Sequence, residues 1–233
     1  VKQANTDHGF VDQSVVYAGE ELLLTSERAI VWPAMSMVLV ADVHLGKESV
    51  FGRHGIAVPD GATQGDLDRL SALVARYRCK QVMVLGDFVH ARPRAGDRWP
   101  QRIGEWLDAH PEMVCHIVAG NHDGKRPQTM LDQRLRWHTE PLDMGPFVLC
   151  HEPQNHSQGV VLCGHLHPTQ RLKANGFSLR APVYWLGERC GVLPSFGRFT
   201  GGHDVQPQAG DQVWAVTPGS LHDLSAVAGS RSQ

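Results

Sequence analysis

An α/β fold with two β-sheets is what this 233-residue chain predicts, and three observations carry the prediction. Continuous apolar runs at 37–41 (MVLVA), 81–86 (QVMVLG) and 113–120 (MVCHIVAG) have the length of strands covered on both faces. Amphipathic segments alternate with them, which calls for crossover connections in a parallel layer. The second half is dense in short apolar runs and reads as a second sheet.

Residues 1–18 have no periodicity and read as a peripheral arm or edge strand. LLLT and AIVW flank SER as a hairpin, ahead of the first buried run. Residues 60–78 place Leu67, Leu70, Leu73, Val74 and Tyr77 at helical spacing, with Thr63 or Asp60 available as a cap. Trp99, Ile103, Trp106 and Leu107 mark a second helix, with Pro100 in its first turn and Pro111 past its end. FVLC (147–150), VVLC (160–163), APVYW (181–185), GVLP (191–194) and QVWAV (212–216) supply strands of the second sheet. No repeat or linker divides the chain. A single domain over 1–233 is expected, with 1–18 peripheral and 203–233 a C-terminal extension of unassigned role.

Hydrophobic content of 42% and charged content of 20% are ordinary for a globular protein. A net charge of −2 gives no global basic signature, so any polyanion would have to meet a local patch. Five cysteines, an odd number without a CxxC pair, argue against a disulfide framework or a thiolate zinc knuckle. A reducing, cytoplasmic setting is the simplest expectation, with no membrane span and no secretory h-region in the N-terminal residues.

Chemistry gathers at the ends of the apolar runs. Asp42 and His44 follow the first, Asp87 and His90 the second, and Asn121, His122 and Asp123 the third. His151 closes FVLC, and His165 and His167 follow VVLC. Open α/β sheets bind ligands outside the carboxyl ends of their strands, so these groups are placed to converge. Mixed oxygen and imidazole donors suit Mn, Fe or Zn in a hydrolytic site. So many donors exceed one tetrahedral ion and fit two ions sharing a carboxylate. A water bridging such a pair becomes a nucleophile near neutral pH. Each block alone is a weak signal; the weight lies in five of them in order.

That ordered series resembles the calcineurin-like metallophosphoesterase superfamily. RAIVWP, ADVHLGKE, GIAVPDGAT, LGDFVH, LCGHLHP and LPSFGRFTGG are similar, more narrowly, to the ligase-associated DNA damage response endonucleases, the PdeM-type phosphodiesterases. The similarity spans about residues 20–202. It implies a four-layer αββα sandwich of two mixed sheets flanked by helices. It also implies two divalent ions, manganese foremost with Fe or Zn as alternatives. One ion would take Asp42, His44, Asp87 and His167; the other would take Asp87, Asn121, His151 and His165. His122 would be the general acid for a bridging hydroxide attacking phosphorus. His90 stands where phosphatase branches carry an aspartate, which favours phosphodiester chemistry. What tunes the proton affinity of His122 is left open between Asp123 and a backbone carbonyl.

The activity so implied is phosphodiester hydrolysis in nucleic acid, DNA in particular, alongside a ligase and a helicase. The alternatives are a small-molecule phosphatase or nucleotide hydrolase, and a non-catalytic scaffold, against which the full ligand set argues. Lys47, Arg53, Arg92 and Arg94 are the candidate substrate contacts, with Arg98 and Arg102 extending the basic run and His54 beside the first block. Cys150 and Cys163 read as buried small hydrophobes rather than ligands. His8, His110, His116, His138, His156, His203 and His222 read as ordinary histidines. The glycines of PSFGRFTGG read as a tight turn or close packing under the site.

Overall fold

The computed structural model describes residues 12–56, 61–125, 132–174, 177–198 and 200–227. Seven strands form the first sheet in chain order: β1 (Asp12–Tyr17), β2 (Glu20–Thr25), β3 (Ile30–Trp32), β4 (Met37–Ala41), β5 (Gln81–Leu85), β6 (Val114–Val118) and β7 (Leu135–His138). β1 to β4 are antiparallel neighbours, whereas β4 to β7 run parallel. Parallel pairing requires crossovers. The first carries α1 (Lys47–Arg53) and α2 (Ala62–Tyr77), and the next carries α3 (Trp99–Asp108).

Strand alternation divides the side chains of β4 and β5 between two cores. Val38, Val40, Val82 and Val84 pack with Leu67, Leu70 and Leu73 of α2 and Ile103, Trp106 and Leu107 of α3. Met37, Leu39, Met83 and Leu85 face the second sheet. Every residue of β4 is 0% exposed, which is why MVLVA is apolar throughout instead of alternating.

The second sheet contains β8 (Leu142–Met144), β9 (Phe147–Leu149), β10 (Val160–Cys163), β11 (Pro168–Ala174), β12 (Phe177–Leu186), β13 (Cys190–Val192) and β14 (His203–Asp204). Their spatial order is β14-β11-β12-β13-β10-β9-β8, with β15 (Gln212–Thr217) also on β12 and β16 (Ser220–Asp223) on β15. Phe147, Leu149, Leu162 and Tyr184 fill the space between the sheets. The Tyr184 hydroxyl lies 2.8 Å from the Thr25 carbonyl and 2.9 Å from that of Ala29, latching β12 to the β2–β3 turn.

The two-sheet α/β class is as expected, with its helical layer against the first sheet. Among the described residues the outer face of the second sheet is covered by strands and coil around Val205 and Leu224. Residues 12–17 take the strand alternative, as edge strand β1, and local expectations shift in three places. The α1 turn was unanticipated, and 203–223 joins the second sheet as β14 to β16. Gly61 occupies the N-cap of α2, so Thr63 does not cap it. The Thr63 hydroxyl instead accepts the Gly46 amide at 2.9 Å and donates to Glu48. Asp60 and His8 lie outside the described residues. No helix among the described residues is long and apolar enough to cross a membrane.

His116 and His138 are more than isolated packing histidines. Their rings stack across β6 and β7, with His116 Nδ1 3.0 Å from His138 Nε2 and His116 Nε2 3.1 Å from Gln81 Oε1. Desolvation lowers both imidazoles from 6.5, with His138 and Arg136 adding to the effect at His116 and Arg136 at His138. A histidine held below its unfolded value stabilises the fold at high pH and loses that contribution as pH falls below the unfolded value. We expect His116→Gln/His138→Gln to flatten the decline in unfolding free energy between about pH 7 and 5, read by urea titration against the parent. Parallel curves would contradict this.

Candidate metal centre

The chain beyond β4 and β5 keeps pairing after the strands end. The Asp42 amide donates to the Gly86 carbonyl at 3.2 Å, and the His44 amide to that of Asp87 at 2.8 Å. This continued register sets Asp42 and His44 beside Asp87. Five of the candidate ligands sit in the left-handed region: Asp42 at φ 53°, His44 at 53°, Asp87 at 49°, His165 at 68° and His167 at 46°. Left-handed residues outside glycine cost energy and persist where surrounding structure holds them, characteristically at functional sites. Asp and His tolerate the conformation better than branched residues.

The donors fall into two groups that meet at Asp87. On one side, His44 Nε2 is 3.4 Å from His167 Nε2 and 3.8 Å from Asp87 Oδ2, and His167 Nε2 is 3.5 Å from Asp42 Oδ1. On the other, His151 Nε2 is 2.9 Å from Asn121 Oδ1, 3.1 Å from His165 Nδ1 and 3.6 Å from Asp87 Oδ1. Each Asp87 oxygen therefore faces a different group. Asp42 is fully buried, its Oδ2 accepting the His165 amide at 2.9 Å while Oδ1 has no hydrogen-bond partner. A buried carboxylate oxygen in that state is costly unless a cation satisfies it, so the residues fit a metal.

The imidazoles are prepared as ligands. His151 Nδ1 lies 3.4 Å from the Leu85 carbonyl, and His167 Nδ1 lies 3.1 Å from that of Gly201. Donation there fixes the tautomer and leaves Nε2 free for a cation. Desolvation, then Lys47 and the neighbouring imidazoles, pushes His44 down to about 2, keeping it neutral as a ligand must be. Gly86, at φ 79°, allows the His151 ring to lie against the backbone, since a Cβ there would stand 1.9 Å from Nδ1. Gly164 plays the same part under Asp42, where a Cβ would fall 2.5 Å from Oδ2.

His122 is oriented by a backbone carbonyl. Its Nδ1 lies 2.8 Å from the His90 carbonyl, and its Nε2 is 4.0 Å from Asp87 Oδ2. Its ring stacks on His90 at 4.9 Å, and His90 Nδ1 is 3.3 Å from His44 Nδ1. The Asp123 carboxylate meets backbone amides. It is fully buried and accepts the amides of Phe88, Val89 and Gly120 at 3.2, 3.0 and 2.9 Å, pinning the loop after β6 to the loop after β5. Burial pushes its carboxyl up to about 6 against those three donors.

The basic candidates separate. Lys47 lines a small crevice with His44, Thr63, Asp66 and Arg198, and desolvation lowers its ammonium while Asp42, Asp66 and Asp87 oppose. Arg53 is held by Asp97 at 3.1 Å, and the same carboxylate accepts the Arg94 amide. Arg92 and Arg94 are exposed beyond His90, while Arg102 lies 3.9 Å from Glu48. His54 is exposed at the end of α1. Cys163 is buried with its thiol 3.6 Å from that of Cys190, and Cys150 accepts from Gln154, so both face the small core outside the metal cluster.

Two contributors are not among the candidate site residues of the sequence. Glu140 accepts the His151 amide at 2.6 Å; no motif surrounds it, and its role depends on a partner eleven residues away. Ser195 donates to the Asp42 carbonyl at 3.0 Å, and the Phe196 and Gly197 amides donate to Ala41 and Asp42. The 194–202 stretch therefore braces the first metal block, consistent with the close packing inferred from its glycines.

Buried carboxylates, tautomer-fixed imidazoles and strand-end convergence from two sheets fit a divalent-metal centre, and the family match makes it that of a metal-dependent phosphoesterase. The chain belongs to the calcineurin-like phosphoesterase family, whose model matches residues 35–188. Among solved structures it is similar to the Pseudomonas putida nuclease MPE, at 34% identity and a TM-score of 0.80 over 92% of this chain and 100% of that one. A far more distant likeness is to Yfce, a phosphoesterase from E. coli, at 12% identity and a TM-score of 0.38 over 81% of this chain and 98% of that one. No curated protein sequence matches the chain.

Gly164→Ala tests the cradle. With a methyl forced against Asp42 Oδ2, affinity for a divalent ion should fall about 10–100-fold by calorimetric titration, as for other groups that orient ligands. Unchanged affinity in a folded variant would show that Asp42 does not bind the ion through this arrangement.

Proposed function

We propose that the protein hydrolyses phosphodiester bonds in nucleic acid, DNA in particular, as a two-metal nuclease of a ligase-associated repair system. The observation carrying the reading is Asp87, whose two oxygens face two separate donor groups. The likeness to a nuclease over nearly the whole chain supports the substrate class. Asp42, His44, Asp87 and His167 would hold one ion, and Asp87, Asn121, His151 and His165 the other. Mn is the expected metal, with Fe or Zn compatible with the same donors. The ions would supply Lewis acidity on the phosphoryl oxygens and activate the attacking water.

His122 serves as general acid in this reading. With Nδ1–H spent on the His90 carbonyl, Nε2 is the nitrogen that can deliver a proton to the departing oxygen. His90 positions it by carbonyl and by stacking. Among the described residues Lys47, Arg92 and Arg94 form no ion pair and would meet substrate phosphates, whereas Arg53 braces the Asp97 loop.

We expect His122→Ala to lower kcat on an oligonucleotide by about 10²–10⁴. The loss on an aryl phosphodiester should be smaller, because a phenolate leaves with little protonation. Equal losses on both would remove the general-acid role. Asp87→Ala should impair both ions, and Asp42→Ala or Asn121→Ala chiefly one, read as stoichiometry by calorimetry. Identical stoichiometry in the three variants would contradict a bridging Asp87. A strong preference of the parent for an aryl phosphomonoester would favour a small-molecule phosphatase instead.

A further inference from the structure

A second basic surface begins where the metal centre ends. Gly197 donates its amide to the Asp42 carbonyl, and the next residue, Arg198, lines two hollows at once. One is the crevice with His44 and Lys47; the other is a groove bounded by Arg28, Arg69, Leu179 and Arg180. The groove runs between the β2–β3 turn, the first half of β12 and the β15–β16 turn.

The arginines are not equivalent. Arg69 is structural, bound to Glu27 at 2.8 Å, to Asp66 at 3.0 Å and to the Phe196 carbonyl at 2.9 Å. Arg180 pairs with Asp204 at 2.8 Å but keeps 47% of its side chain exposed. Arg198 reaches Asp66 only at 4.0 Å and is 55% exposed. Arg28 is half-buried at φ 63°, with its guanidinium 3.4 Å from the Ser195 carbonyl. Among the described residues no carboxylate forms an ion pair with it. Desolvation and the neighbouring Arg69 draw it below the ordinary arginine value. Asp66 and Glu27 oppose that shift from a distance without pairing, and a partly desolvated cation so placed gains when an anion enters the groove. Leu179, 53% exposed, adds apolar surface in the same groove.

We propose that this groove is the track of a polynucleotide strand beyond the scissile phosphate, with Arg198, Arg28 and Arg180 meeting successive backbone phosphates. The inference rests on the nucleic-acid reading of the metal centre. Arginine forks suit phosphate oxygens, and contacts to the backbone give register and affinity without selecting sequence. Leu179 offers a face to the sugar or base. The track explains how a chain of net charge −2 can engage a polyanion: its positive charge is local and continuous with the site.

The decisive variant is Leu179→Glu/Arg180→Gln, on exposed positions of β12 remote from the ligands; Arg28→Gln follows, with its melting temperature as a check on folding. Three substrates are compared: an aryl phosphodiester, a dinucleotide, and a single-stranded oligonucleotide long enough to leave the centre. Binding of the oligonucleotide is measured by anisotropy in chelator across a salt series, where no cleavage occurs. The expected result is unchanged turnover of the two short substrates and about a tenfold higher KM for the oligonucleotide. The slope of log affinity against log salt should fall by about 0.7 for each phosphate that the variant no longer neutralises. If the parent cleaves oligonucleotides and the double variant matches it in KM and slope, the track is wrong and the nucleic-acid reading stands. If the parent cleaves the aryl diester and no oligonucleotide, the reading falls and the track with it.

Discussion

Two carboxylates buried at the carboxyl ends of adjacent parallel strands govern this molecule. Asp42 is fully buried and Asp87 nearly so, and one oxygen of Asp42 has no hydrogen-bond partner. Burying such charge is expensive, and close approach of two negative groups adds to the cost. The surrounding architecture answers with amide donors from two loops, His165 to Asp42 and His122 to Asp87, with Gly164 and Gly120 leaving room beside the carboxylates, and with imidazoles directed at the same small volume. A divalent cation would complete the balance, which would make the metal part of the electrostatic logic of the fold.

The same constraint explains the backbone. Asp42 and His44 fall on the site side with buried Val43 between them directed to the helix-side core, the alternation that an extended segment gives. Both ligands are nevertheless left-handed, as are His165 and His167 around Leu166, so the chain departs from the extended path at each of them. Strain of this kind needs support from elsewhere. It comes from continued pairing between the loops of β4 and β5 and from the 195–197 segment braced against Asp42. Asp123 belongs to that supporting work, for its carboxylate ties two loops together through three amides.

Much of the fold was legible because burial leaves a compositional mark. MVLVA matches β4 residue for residue, since both of its faces are covered and no polar residue is tolerated there. The helices of Leu67 and Trp99 were legible because one face of each meets a core. β11 and the start of β12 were not, because Arg171, Arg180 and Leu179 are exposed and the hairpin has no uniform apolar face. β1 was faint for the same reason: as an edge strand it buries little beyond Val15 and Tyr17. Thr63 looked like a cap by type and position, yet its hydroxyl is engaged by Gly46 from another element.

By itself the sequence determined the identity of the donors, their attachment to strand ends and their order, because apolar runs and polar endings are local properties of the chain. Tertiary structure decided the assignments that depend on distance. It put a carbonyl rather than Asp123 behind His122, turned Cys163 toward Cys190, and enlisted Glu140 and Ser195 to hold ligands far from them in sequence. It also brought Arg28, Arg180 and Arg198 from three separate segments to one groove. Orientation and juxtaposition arise only when two sheets close on each other, and no local pattern encodes which polar groups will then meet.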